Sequence, residues 1–212
     1  MNPSHEHHRP LDSKDDWNER YLADRGASIW SGHPNGPLIV ELGTMTPGKA
    51  IDLGCGEGAD AIWLATQGWE VTGVDISDIA VSRAETAAQT AGVSVEWVCA
   101  DFVENPPEAG AFDLVTTHYP ALLRSERERA IEALTRGVKD GGTLLFVAHQ
   151  VTDVEAARRH GFEPDDYLDA DDIADALGDQ WKILTHETRE RAGGATERSP
   201  HANDVVLRAI RR

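Results

Sequence analysis

Three glycines at alternate positions, Gly54, Gly56 and Gly58, lie in the stretch IDLGCGEGADAIWLATQGWEVTGVD, residues 51–75. A short apolar run precedes them, a helical pattern follows, and a second apolar run stops at Asp75. Glycines at this spacing let a strand turn sharply into a helix and let backbone approach a ligand closely. An acidic residue about 20 positions further on can accept the hydroxyls of a ribose. The chemistry on offer is the binding of an adenosine-containing cofactor. Gly54, Gly56 and Ala59 also satisfy the dinucleotide spacing. The turn alone does not separate a dinucleotide from another adenosine cofactor.

Candidate proton acceptors are His118 and Tyr119, at the end of the run AFDLVTTHY, and His149, at the end of GTLLFVAH. Histidine titrates near neutral pH, so either imidazole could take a proton from an acceptor group. Cys55, inside the glycine turn, reads as a small packing residue. Cys55 and Cys99 both fall in apolar runs, which suits buried free thiols in a reducing cytosol better than a disulfide framework.

The elements that must position these groups alternate along the chain. Strand-like runs occur at KAIDLG, WEVTGVD, SVEWVCAD, AFDLVTTH and GTLLFVAH; helical patterns occur at ADAIWLATQG, DIAVSRAETAAQTAG and SERERAIEALTRGVKDG. Gly68, Gly92 and Gly137 stand where a left-handed helix cap is expected. Such alternation predicts βαβ units, hence a parallel sheet covered on both faces. The runs WKILTHE and NDVVLRAI follow one another with no helical pattern between them. Consecutive strands without a crossover must pair antiparallel, so the sheet should finish in an antiparallel hairpin. The acidic stretch 151–180 reads as an insert with two short helices, a candidate wall of the acceptor pocket.

Ahead of this core, Ser13 can cap a short helix that puts Trp17 and Tyr21 on one face, and Asn35 can cap a second helix running to Leu42. Residues 1–11 are polar. His5, His7 and His8 there lack the further placed ligand a metal site requires, so no metal is expected.

The chain has 20 basic and 37 acidic side chains among 212 residues, a formal charge of −17. That surface repels a phosphate backbone and argues against a nucleic-acid partner. No apolar stretch approaches the roughly 20 residues of a membrane span, and no secretory h-region opens the chain. A soluble cytoplasmic protein is expected, acting on a small molecule.

The pattern acidic-x-Gly-x-Gly-x-Gly, Asp52 to Gly58, resembles the first motif of class I S-adenosylmethionine-dependent methyltransferases. CADF, Cys99 to Phe102, FDLVTTHY, Phe112 to Tyr119, and KDGGTLLFV resemble later motifs of that family in order. The resemblance implies a Rossmann-like α/β fold: a seven-stranded, mostly parallel sheet with an antiparallel C-terminal strand and helices on both faces. It implies S-adenosyl-L-methionine as cofactor. Asp52 and the three glycines would hold its methionine end, Asp75 and Ile76 the ribose, and Asp101 and Phe102 the adenine. WNERY…IWSGHPN, residues 17–35, is similar to the N-terminal segment of small bacterial tellurite-resistance and thiol, thiopurine or halide methyltransferases. That similarity implies a lid over residues 1–43, with Trp17, Tyr21 and Trp30 walling the pocket and residues 44–212 forming the catalytic domain. It also implies a soft nucleophile as acceptor. The alternatives are O- or N-methylation assisted by a histidine base, and a non-catalytic cofactor-binding protein.

Overall fold

The computed structural model describes residues 13–23, 29, 31–159, 162–191 and 202–212. The N-terminal histidines, Trp30 and the connection 192–201 lie outside them.

Seven strands form one sheet: β1 (Lys49–Leu53), β2 (Glu70–Asp75), β3 (Glu96–Cys99), β4 (Phe112–His118), β5 (Val138–His149), β6 (Trp181–Glu190) and β7 (Asn203–Arg211). Their order is β3-β2-β1-β4-β5-β7-β6. β7 runs antiparallel to both neighbours, and β1 to β5 pair in parallel. The terminal hairpin and the parallel core are those expected from the strand pattern. Because β1 lies between β2 and β4, the winding direction reverses at β1, and a crevice opens at the carboxyl ends of these strands.

The helices are α1 (Lys14–Ala23), α2 (Gly36–Leu42), α3 (Ala59–Thr66), α4 (Asp78–Ala91), α5 (Arg127–Arg136), α6 (Val154–Arg159) and α7 (Ala170–Ala176). The sheet is apolar on both faces, as a covered sheet must be. Ile51, Leu144, Phe146 and Leu207 meet Ala130 and Leu134 of α5 and Ile173 of α7 on one face. Ala50, Leu145, Val147 and Val206 meet Leu38 and Leu42 of α2 and Ala61 and Leu64 of α3 on the other. Leu64, Leu134, Phe146 and Ile173 are fully buried, each stabilising the fold by roughly 1.5–3 kcal/mol.

The local expectations divide. Ser13 does cap α1, in a reciprocal pair: Asp16 N–H donates to Ser13 Oγ at 3.2 Å and Ser13 N–H donates to Asp16 Oδ2 at 3.2 Å. Asn35 precedes α2 but its side chain makes no cap bond; it turns to Asp60 instead. Gly137 is right-handed (φ −69°), not a left-handed cap. A Cβ there would meet Pro107 Cβ at 3.0 Å, so close packing, not backbone angle, requires the glycine. Cys55 is buried, whereas Cys99 is exposed, because β3 is a short edge strand with little cover.

Candidate cofactor and acceptor site

The glycine turn joins β1 to α3. Gly54, Gly56 and Gly58 all take positive φ (73°, 54° and 83°), a region costly for any residue with a Cβ. Gly58 is required twice over: a Cβ there would stand 2.7 Å from Trp97 Cη2 and 2.8 Å from Ala84 Cβ. At Gly54 the space is open, with only Phe102 Cε1 at 3.8 Å. That is the face on which a ligand can approach the backbone.

Asp75 ends β2 beneath this turn. Its Oδ2 accepts from Gly56 N–H and its Oδ1 from Ser77 N–H, both at 2.8 Å. Each oxygen keeps a second lone pair for a ribose hydroxyl. Burial raises the Asp75 pKa while the two amides pull it down. Asp52, inside β1, is buried with Oδ2 lacking a hydrogen-bond partner among the described residues. Desolvation and the neighbouring Asp60 and Asp75 charges push its pKa well up. The same causes, burial first, hold the Cys55 thiol protonated, so it is packing and not a nucleophile.

Three buried carboxyl groups surround one turn, and together they favour cations over anions. A pyrophosphate would bring negative charge onto Asp52, Asp60 and Asp75. A sulfonium and an ammonium, both cationic, would be stabilised there.

The other predicted binding residues divide. Phe102 reaches the turn, as its approach to Gly54 shows. Asp101 spends Oδ1 on its own loop, accepting from Val103 N–H at 2.8 Å. Ile76 follows Asp75 and its carbonyl faces Cys99 Sγ at 3.6 Å. α1 docks just beyond Asp75: Ser77 Oγ donates to Asn18 Oδ1 at 2.6 Å, Asn18 Nδ2 donates to Asp78 Oδ1 at 2.9 Å, and Lys14 pairs with Asp78 at 3.0 Å. Tyr21 is buried on α4 under the Arg83 guanidinium, 5.9 Å from its ring centre, and Trp17 is half-buried beneath Arg20.

His118 ends β4 with its side chain 4 % exposed. Its Nδ1 lies 3.0 Å from Asp60 Oδ2. A carboxylate can only accept, so Nδ1 carries the proton and Nε2 the lone pair. Nε2 is buried with no partner among the described residues. Burial lowers the His118 pKa, partly offset by Asp60 and Asp204, so the ring is neutral at neutral pH. Asp60 is held in turn by Asn35, whose N–H and Nδ2 donate to Oδ1 and Oδ2 at 2.7 Å each.

Tyr119 and His149 belong to a second cluster. Tyr119 takes φ 55°, the only positive φ outside glycine among the described residues. Its hydroxyl donates to Asp204 Oδ2 at 3.0 Å, its ring stacks on His149 at 4.0 Å, and Arg191 lies 4.9 Å from its centre. His149 Nδ1 faces Asp204 Oδ1 at 3.5 Å. Burial and the Asp204 charge push the Tyr119 phenol well above its ordinary value. Already donating, and hard to ionise, Tyr119 is a poor base; wall and support are the roles left to it.

As parts of the site, Asp60, Asn35 and Asp204 carry no signal in the sequence. Asp60 reads as an ordinary acid in a first helical turn, Asn35 as a cap, and Asp204 as a strand residue 85 positions from Tyr119.

Residues 50–142 match the family described as methyltransferase domain. Over these residues the chain is similar to that family. The chain is 36% identical over 109 residues to ribosomal RNA small subunit methyltransferase C of Alcanivorax borkumensis, covering 49% of this chain and 33% of that protein. It is 32% identical over 130 residues to the ubiquinone biosynthesis O-methyltransferase of Pseudomonas syringae pv. tomato, covering 58% and 55%. It thus spans about a third and about half the length of these two relatives. A solved structure described as "Conversion of a Disulfide Bond into a Thioacetal Group during Echinomycin Biosynthesis" shares the fold at TM-score 0.72 and 24% identity, over 93% of this chain and 92% of that one. The cofactor that goes with the methyltransferase domain is S-adenosyl-L-methionine, and the buried carboxylates with the open face at Gly54 fit it. No helix among the described residues is long and apolar enough to cross a membrane.

Proposed function

We propose that the chain transfers the methyl group of S-adenosyl-L-methionine to a small-molecule acceptor whose hydroxyl or amine proton is taken by His118. The observation that carries this reading is the His118–Asp60 pair: a neutral imidazole at the carboxyl end of β4, Nδ1 held by a carboxylate, Nε2 without a partner among the described residues. S-adenosyl-L-methionine supplies an electrophilic methyl on a cationic sulfur. Asp52, Gly54, Gly56 and Gly58 would hold its methionine end, Asp75 and Ile76 its ribose, and Asp101 and Phe102 its adenine. His118 Nε2 would receive the acceptor proton as the nucleophile advances, with Asp60 stabilising the imidazolium. Positioning in a dry pocket supplies much of the remaining acceleration. The formal charge of −17 supports a small acceptor over a nucleic acid.

A second reading, methylation of a thiol or chalcogen compound in the manner of tellurite-resistance and thiopurine enzymes, draws on the docking of α1 against Ser77 and Asp78. Residues 1–43, with Trp17, Tyr21 and Trp30, would then form a lid, and a thiolate would need no base. S-adenosylhomocysteine release across a panel of thiols, hydrosulfide, selenite, tellurite, phenols and amines separates the two. Turnover of phenols or amines that is lost in His118→Ala supports the base. Turnover confined to soft nucleophiles, unchanged in that variant, supports the second reading.

A further inference from the structure

We propose that Asn35 is a positioning residue, fixing Asp60 so that His118 presents Nε2 as proton acceptor. The inference rests on His118 being the base. Asn35 stands where its side chain would serve the first amides of α2, yet it makes no such bond. Its backbone N–H and its side-chain Nδ2 both donate to Asp60, 25 residues away, one to each carboxylate oxygen. Held at both oxygens, the carboxylate cannot rotate, and Oδ2 stays aimed at His118 Nδ1. Thr116 Oγ1, 3.5 Å from the same nitrogen, is the other polar neighbour of Nδ1.

The test is nitrogen-15 NMR of the His118 imidazole in the full-length protein without cofactor, comparing wild type with Asn35→Ala and Asn35→Ser. Wild type should show one tautomer, with Nδ1 protonated. The variants should show mixed tautomers, and kcat on a phenol or amine acceptor should fall about 10- to 100-fold, as when a partner behind a working histidine is removed. KM for S-adenosylmethionine and any thiol turnover should hold. A folded Asn35 variant with a single Nδ1–H tautomer and wild-type kcat, while His118→Gln is inactive, overturns the inference. Full activity in His118→Gln instead removes the base reading, and the tautomer ratio still decides whether Asn35 sets the imidazole through Asp60.

Discussion

Asp60, in the first turn of α3 directly after the glycine turn, and His118, at the end of β4, face each other at 3.0 Å. Neither side chain is more than 7 % exposed. The turn proposed to receive the cofactor therefore also places the group that would accept the proton. In Asp60→Asn, an amide could offer a donor to Nδ1 and select the wrong tautomer. Loss of kcat of up to about 10⁴-fold is expected, by analogy with a serine-protease triad. KM for S-adenosylmethionine should change far less than kcat, and steady-state kinetics checks both.

On the proposed cofactor placement, Asp75 sets affinity. Asp75→Ala removes the acceptor for the ribose hydroxyls and two backbone amides, and hydrogen bonds to charged groups are worth about 1.5–3 kcal/mol. Calorimetry should show S-adenosylmethionine binding weakened about 10- to 150-fold. An unchanged dissociation constant would move the ribose elsewhere.

Asp52 and His118 respond to pH in opposite senses. The native pKa of His118 is lowered below 6.5, so its contribution is complete above that value and fades as pH falls through it. Asp52 is raised well above 3.8; its contribution is complete below that value and is lost as pH rises through its native pKa. Asp52→Asn should thus melt higher than wild type at pH 7–8, by about 2–4 °C for each kcal/mol relieved. The difference should shrink toward pH 4. Thermal unfolding across pH measures it, and a lower melting temperature at pH 8 would count against a strained carboxylate.

Much of this architecture is legible in the sequence because it rests on local rules. Strand–helix alternation gave the parallel core, the missing crossover gave the β6–β7 hairpin, and Asp52, the glycines and Asp75 marked the turn. The pairs Asn35–Asp60 and Tyr119–Asp204 were hidden because each depends on tertiary proximity, 25 and 85 residues apart. Gly137 misled for a related reason: a glycine needed for packing against Pro107 looks, in sequence, like one needed for its backbone angle.

Two glycines calibrate the turn. Gly58→Ala combines a left-handed conformation with contacts under 3 Å to Trp97 and Ala84. Backbone and overpacking costs together predict about 2–4 kcal/mol of destabilisation. Gly92→Ala, at φ 70° with nothing within 4 Å, should lose only about 1–2 kcal/mol. Urea unfolding of the two variants would show whether the gap exists.

Tyr119→Phe should hold kcat within about threefold, far short of the 10²–10⁴-fold that removal of a general base costs. Stability should fall by about 1–3 kcal/mol, because Asp204 loses the hydroxyl that donates to it. A larger loss of kcat, at unchanged stability, would make the phenol a participant.

The most direct test of the central claim is the pH profile of S-adenosylhomocysteine release by wild type and His118→Gln on one phenol or amine acceptor. Wild type should lose activity on the acid side as the His118 imidazole becomes protonated. His118→Gln should lie about 10²–10⁴-fold lower in kcat without that limb, while binding S-adenosylmethionine as before. Equal rates and the same acid limb in both proteins would contradict a proton transfer to His118.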